Sequence, residues 1–209
     1  MRIAGKTSQP EFLVTLADIR QMEDLFTGRY LKGHGEPRVA MVGRSNVGKS
    51  SLINQLTGAR LAQTSAQPGK TRAIHFYHWK EARRIIADLP GYGYAKASKE
   101  ERQRWEGFIQ AYLKREENLD RALVLLDARY GPTPIDLQAI DFLSSLGVAL
   151  TFVFSKADTL KTQAERARRK KEVSATLEGF GVDASTAFWV SIHDPQSVKK
   201  LRAGILESS

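Results

Sequence analysis

The chain has 209 residues, 42% of them hydrophobic, with no cysteine and a formal net charge of +9. That length suits one compact domain, and the hydrophobic share argues against general disorder. Lack of cysteine excludes disulfides and cysteine-ligated metals, and no run reaches the ~18 uninterrupted apolar residues of a membrane span.

The opening stretch "MRIAGKTSQPEFLV" has no apolar core of the signal-peptide kind, so a soluble, cytoplasmic protein is expected. Residues 1–35 form an N-terminal arm. Its weak amphipathic pattern at "FLVTLADIRQM" leaves room for an extra helix packed on the domain that residues 36–209 form. From there short apolar runs alternate with longer amphipathic segments, as in a parallel α/β sheet. "RVAMV" reads as a buried strand, and Lys49 to Leu56 as a helix. Leu61 to Thr71 is a polar loop of the length that is usually functional or mobile. "AIHFYHW" alternates and reads as an edge strand, and "RRIIADL" as a buried one. A helix from Lys99 to Arg115, a strand "ALVLLD" and a helix from Asp136 to Leu146 follow. The strands "ALTFVF" and "AFWVS" then alternate with helices from Gln163 to Gly179 and from Pro195 to Leu206.

Between the first buried strand and its helix lies "GRSNVGKS", which fits G-x-x-x-x-G-K-[ST]. Gly43 and Gly48 let backbone N–H groups of Arg44, Ser45, Asn46 and Val47 curl toward phosphate oxygens, and the helix N-terminus adds partial positive charge. Lys49 reaches the β- and γ-phosphates, and Ser50 offers its hydroxyl to Mg²⁺. The alternative, a chance glycine-rich turn, fits poorly between a strand and a helix.

"ADLPG" places Asp88 at a strand end, with Leu89 and Pro90 leading to Gly91. Asp88 would hold Mg²⁺ through water, and the Gly91 N–H would sense the γ-phosphate. D-x-x-G alone is mostly a turn; after a phosphate loop it carries weight. "FSKAD" places Ser155, Lys156, Ala157 and Asp158 after another strand. The Asp158 carboxylate can accept from the ring N–H and exocyclic amine of guanine, where adenine offers neither, and discrimination of that kind reaches roughly 10⁴-fold. The same four residues could merely start a helix.

With these three motifs in order, the chain resembles the bacterial ribosome-biogenesis GTP-binding proteins of the EngB type, in the translation-factor-related branch of P-loop GTPases. "EPRVAMVGRSNVGKSSLINQL", "TSAQPGKTRAIHFY", "DLPGYGYAKAS", "LLDARYGPTPIDLQAI" and "FSKAD" carry the resemblance, which spans roughly Glu36 to Ile205. It implies a Ras-like α/β fold, a six-stranded and mostly parallel sheet with helices on both faces. It implies GTP and GDP binding, GTP hydrolysis with Mg²⁺, a role in large ribosomal subunit assembly, and a link to cell division and septation. Thr71 matches the first-switch threonine that completes Mg²⁺ coordination, with Gly69, Lys70, Arg72 and Ala73 around it. Lys49, Thr71 and Gly91 are then the catalytic group, Ser50, Thr71 and Asp88 the metal ligands, and Trp189, Val190 and Ser191 the segment that caps the guanine oxygen. Two departures stand out. The base loop begins with Ser155 instead of Thr or Asn, and Ile192 stands where related proteins carry a small residue.

Ras-type proteins place a water-orienting glutamine after D-x-x-G, and here that position is Tyr92. Slow intrinsic hydrolysis is expected, awaiting a ribosomal partner or K⁺. Asn46 resembles an asparagine that coordinates K⁺ in related GTPases, or it simply caps the loop.

Basic residues cluster at "ERARRKKE", at Arg83 and Arg84, at Lys96, Lys99, Arg102 and Arg104, and at Lys199, Lys200 and Arg202. Such runs are often just solvated faces; in a GTPase of this net charge, contact with rRNA through phosphates and shape is expected. The expected partner is the large ribosomal subunit or its precursor, including ribosomal proteins. No membrane partner is expected, and the chain is expected to be monomeric. Trp105, Phe108 and Tyr112 read as a core-facing stripe. His75 and His78 sit on opposite strand faces, which disfavours a metal between them. The competing readings are a P-loop kinase, which "FSKAD" opposes, and a GTPase acting on another RNA or at the membrane.

Overall fold

β2 (Arg38–Gly43) is buried along its whole length, because its alternate residues face two different cores. Val39 and Met41 pack on one side of the sheet and Ala40 and Val42 on the other. The same split holds in β5 (Leu119–Asp127), where Leu123 and Leu125 oppose Ala122, Val124 and Leu126. This is why these strands read as unbroken apolar runs: both faces are covered by helices. The computed structural model describes residues 9–27, 30–31, 33–63, 73–93 and 98–207.

The sheet has seven strands in the order β1-β3-β4-β2-β5-β6-β7. β4 (Arg84–Asp88), β2, β5, β6 (Leu150–Ser155) and β7 (Phe188–Trp189) run parallel. β3 (Ile74–Trp79) is antiparallel to β4, and β1 (Glu11–Leu16) is antiparallel to β3. α2 (Lys49–Thr57) and α6 (Pro195–Glu207) cover one face through Leu52, Ile53, Leu56, Val198, Leu201 and Ile205. α1 (Met22–Phe26), α3 (Lys99–Arg115), α4 (Pro134–Ser145) and α5 (Gln163–Glu178) cover the other.

Three sequence expectations change. The sheet has seven strands, not six, because "FLVTL" in the arm is a strand, followed by only a short 3₁₀ turn (Ile19–Gln21) and α1. A register shift between Phe12 and Val14 breaks its alternation, so its pattern resembles neither a clean strand nor a helix. "AIHFYHW" is therefore an inner strand, and β1 takes the edge. "AFWVS" pairs with β6 only at Phe188 and Trp189.

Helix starts follow local chemistry. Thr133 caps α4 in a capping box with Asp136, and Pro134 occupies the first turn, so the helix begins two residues before the predicted start. Thr162 and Glu165 do the same for α5. α2 differs: its N-cap is Gly48, at φ 109°, and no side chain bonds its first-turn N–H groups. Those donors point out of the carboxyl end of β2, next to the crevice where the sheet order turns from β4 to β5.

Candidate functional site

The loop between β2 and α2 gains its shape from close packing as much as from glycine freedom. A Cβ on Gly43 would lie 2.8 Å from the Leu125 carbonyl oxygen and from a Val47 methyl, so only glycine fits there. Gly48 takes a left-handed backbone instead. Asn46 is also left-handed, at φ 64°, and exposed. Lys49 curls back over the loop, its Nζ donating to the Gly43 carbonyl at 3.4 Å. Ser50 follows in the first turn of α2.

Asp88 ends β4 beside β2, in register with Met41. Burial pushes its carboxyl pKa up to about 6, against the pull of Lys49. Burial likewise lowers the Lys49 ammonium, opposed by Asp88. Asp88 Oδ1 is buried with no hydrogen-bond partner among the described residues. A desolvated lysine and an orphaned carboxylate oxygen side by side fit a site built for additional charges. The donor set of Asp88 and the Ser50 hydroxyl suits a hard cation such as Mg²⁺.

The second switch touches the phosphate loop directly. Arg44 bridges to Tyr92, and the Ser45 N–H donates to the Tyr92 carbonyl at 3.1 Å. A Cβ on Gly91 would come within 2.8 Å of the Ser45 nitrogen. Pro90 offers its carbonyl to the Trp105 indole N–H at 3.1 Å, so part of the α3 aromatic stripe braces this turn. Tyr112 is fully buried, and Trp105 and Phe108 pack partly buried against the same core. Tyr92 itself is buried and turned inward. Its hydroxyl donates to Asp136 Oδ1 at 2.9 Å, and burial raises its pKa far above the usual phenol range. Asp136 is fully buried, accepts from Thr133 N and Oγ1, and lies 3.4 Å from Arg44 Nε. Nothing in the sequence pattern marked this Arg44–Asp136–Tyr92 network, except the Thr133–Asp136 capping spacing.

The base loop is sewn to the phosphate loop. Ser155 Oγ donates to the Val47 carbonyl at 2.7 Å and the Leu126 carbonyl at 3.1 Å. A hydroxyl is all that this role requires, which accounts for serine at the position. Lys156, left-handed at φ 57°, donates to the Asn46 carbonyl and to Asp127 Oδ2, each at 2.9 Å. Asp127 was not singled out from sequence. Its burial opposes ionisation, but hydrogen bonds from Arg129 and Lys156 win and hold its pKa near about 2. Asp158 follows on a 3₁₀ turn (Ala157–Thr159), its carboxyl lowered first by a hydrogen bond from Ser191 and opposed by slight burial. The Ala157 N–H donates to the Val190 carbonyl at 3.1 Å, and Trp189 stacks on Phe154 with centroids 4.5 Å apart. Ile192 is partly exposed beyond them.

The structure thus brings residues 43–50, Asp88 to Gly91, Ser155 to Asp158 and Trp189 to Ser191 to one end of the sheet. Ala73, just before β3, is buried. Gly69, Lys70, Thr71 and Arg72 lie outside the described residues, as does Lys96.

The basic surface is smaller than its sequence. Arg84 is buried, with Nε 3.9 Å from Asp120 Oδ2, and so does not face a partner. Arg166 donates to the Leu160 carbonyl, Arg169 to the Arg129 and Tyr130 carbonyls, and Arg202 pairs with Glu81. Arg83, Arg104, Lys171, Lys199 and Lys200 are exposed. No helix among the described residues is long and apolar enough to cross a membrane.

Comparison with known proteins places this architecture. A family model for 50S ribosome-binding GTPases matches residues 38–156. A probable GTP-binding protein EngB of Oleidesulfovibrio alaskensis is 43% identical over 156 residues, covering 74% of this chain and 71% of its own. A probable EngB of Gemmatimonas aurantiaca is 40% identical over 172 residues, 82% of each chain. The crystal structure of a probable GTP-binding protein EngB superposes with a TM-score of 0.65 at 27% identity, covering 82% of this chain and 97% of that one.

Proposed function

The chain belongs to the 50S ribosome-binding GTPase family, among its EngB-type members, and from that premise we propose that it is a GTP-hydrolysing switch that assists large ribosomal subunit assembly in the cytoplasm. The observation that carries the proposal is the joining of three segments. The base loop bonds to the phosphate loop through Ser155 and Lys156, and the second switch bonds to it through Ser45 and Tyr92. Bound triphosphate would therefore be read by all three at once. Residues 36–209 form the GTPase domain in this reading, with residues 1–35 as an arm packed on it.

In the mechanism, the uncapped N–H groups of α2 and the Lys49 ammonium bind the β- and γ-phosphates. Ser50, Asp88 and Thr71 would hold Mg²⁺, which when bound offsets charge on the phosphate oxygens. Gly91 offers its N–H to the γ-phosphate, so loss of that phosphate removes one of the ties on the second switch. Asp158 accepts from guanine, while Lys156 lines its face and the Trp189 to Ser191 backbone caps its oxygen. Tyr92 is committed to Asp136 and does not orient water, so intrinsic hydrolysis is slow. A K⁺ ion beside exposed Asn46 would supply the missing positive charge; equal rates in K⁺ and Na⁺ would remove this part of the proposal. Exposed lysines and arginines add salt-sensitive contacts to rRNA phosphates. Effects on division and septation then follow from too few ribosomes.

Depletion of the protein from cells tests the proposal. The account expects large-subunit precursors to accumulate on sucrose gradients before septation fails. A normal subunit profile in cells already failing to divide would overturn it. Labelled-nucleotide competition adds a check on the site: GTP displaces the label and ATP does not.

A further inference from the structure

At the opposite end of β2 from the phosphate loop, three potential ligands converge that the GTPase reading does not use. His34 Nδ1 lies 3.3 Å from Glu36 Oε2, and His78 Nε2 lies 3.1 Å from Glu36 Oε1. One ligand atom from each of the three lies within 4.8 Å of the other two. The imidazole rings meet edge to face, with centroids 4.7 Å apart. A tetrahedral zinc ion with bonds of about 2.0–2.1 Å sets its ligand atoms about 3.3 Å apart. Each imidazole lies near that distance from a different Glu36 oxygen, so a small rotation of the carboxylate within the 4.8 Å spread would bring one oxygen to both.

The surroundings hold these side chains in place. Buried Arg38 donates to the carbonyls of both His34 and Glu36, at 3.1 and 3.0 Å, fixing the loop that presents them. Its own charge is matched by Glu116, 3.0 Å from Nε. β3 supplies His78, paired across the sheet with Glu11 of β1. His78 Nδ1 is buried and without a hydrogen bond among the described residues, the closest ion-pair oxygen being Glu11 Oε1 at 3.6 Å. Lys80 in turn holds Glu11 at 3.0 Å. Glu11 thus stands behind the ring, on the side from which a carboxylate that closes to hydrogen-bond distance keeps one ring nitrogen protonated and leaves the other for a metal. The cluster is half-buried, with side-chain exposures of 23% for His34, 25% for Glu36 and 12% for His78.

We propose that His34, Glu36 and His78 form a structural binding site for a divalent transition ion of the zinc class, with Glu11 as the outer partner of His78. Two imidazoles and one carboxylate suit zinc better than the hard cation of the nucleotide site. The ion would clasp the loop before β2 to β3 and, through Glu11, to the arm strand. The sequence pattern alone gave no sign of it: His75 and His78 face apart, and the true neighbours of His78 lie more than forty residues away.

Titration of the untagged, nucleotide-free chain with ZnCl₂ by calorimetry tests this, read together with melting temperature. One equivalent should bind and raise the melting temperature. His34→Gln and His78→Gln should each weaken binding roughly tenfold or more and abolish the thermal shift. His193→Gln, far from the cluster, should do neither. His34→Gln sits on a loop, so its fold and its affinity for guanine nucleotide should be unchanged even if His78→Gln folds poorly. Absence of binding, binding unaltered by His34→Gln, or an equal loss in His193→Gln would overturn the proposal.

Discussion

Replacing Tyr92 by phenylalanine separates a structural tyrosine from a catalytic one. The change deletes only the hydroxyl that donates to Asp136 Oδ1 at 2.9 Å. Asp136 is fully buried, so no water takes the vacated place without rearrangement. It keeps Thr133 N and Oγ1 on its other oxygen and Arg44 Nε at 3.4 Å, so the carboxylate is not stranded. A hydrogen bond to a charged acceptor contributes about 1.5–3 kcal/mol, and about 2 kcal/mol is reasonable for one bond lost of several. For a chain of this size, that corresponds to a fall in melting temperature of roughly 4–8 °C. Urea unfolding followed by circular dichroism measures the first figure, and a thermal melt the second. GTP turnover at a temperature where both proteins are folded should be nearly unchanged. If stability is unchanged and turnover collapses, the hydroxyl acts on the reacting water and the reasoning is wrong.

Other consequences can be checked in the same preparations. Gly91→Ala forces a Cβ against the Ser45 backbone, so nucleotide affinity or turnover should fall roughly tenfold or more while the circular dichroism spectrum is kept. Unaltered activity would mean that the two loops need not touch. Asp158→Asn removes the acceptor for both guanine donors and should weaken GTP by roughly two orders of magnitude or more without helping ATP. Asp127 gives a pH signature. Its folded pKa, near about 2, lies below the ordinary carboxylate value, so its stabilisation is complete above about pH 5 and is lost as pH falls through about 2. The shift corresponds to roughly 2 kcal/mol. Asp127→Asn should therefore flatten the acid limb of the unfolding profile, and an unchanged limb would count against the Arg129 and Lys156 bonds.

The strands and helices that hold the nucleotide motifs were readable because their signals are local. An apolar run buried on both faces and a glycine-lysine-serine turn need no knowledge of distant chain. β1 was not readable, because its partner edge exists only once β3 is placed and because the shift at Phe12 and Val14 spoils its alternation. The expectation that β3 lay at the edge failed for the same reason. Gly43 was read as backbone freedom and Gly91 as an N–H donor to the γ-phosphate, whereas close approach to Leu125, Val47 and Ser45 is what excludes a side chain at either position. Asp136 and Asp127 escaped notice because a key partner of each comes from elsewhere in the chain: Tyr92, 44 residues from Asp136, and Lys156, 29 residues from Asp127. The basic runs were overread at Arg84, which is buried, while most of the run on α5 is exposed. Charge is visible in sequence, but the carbonyls that occupy Arg166 and Arg169 are not.

Co-sedimentation with purified large ribosomal subunits, comparing a non-hydrolysable GTP analogue with GDP at low and high salt, addresses the central claim most directly. The account predicts binding with the analogue, little with GDP, and weakening as salt rises. Equal binding in both nucleotide states, or none in either, would contradict it.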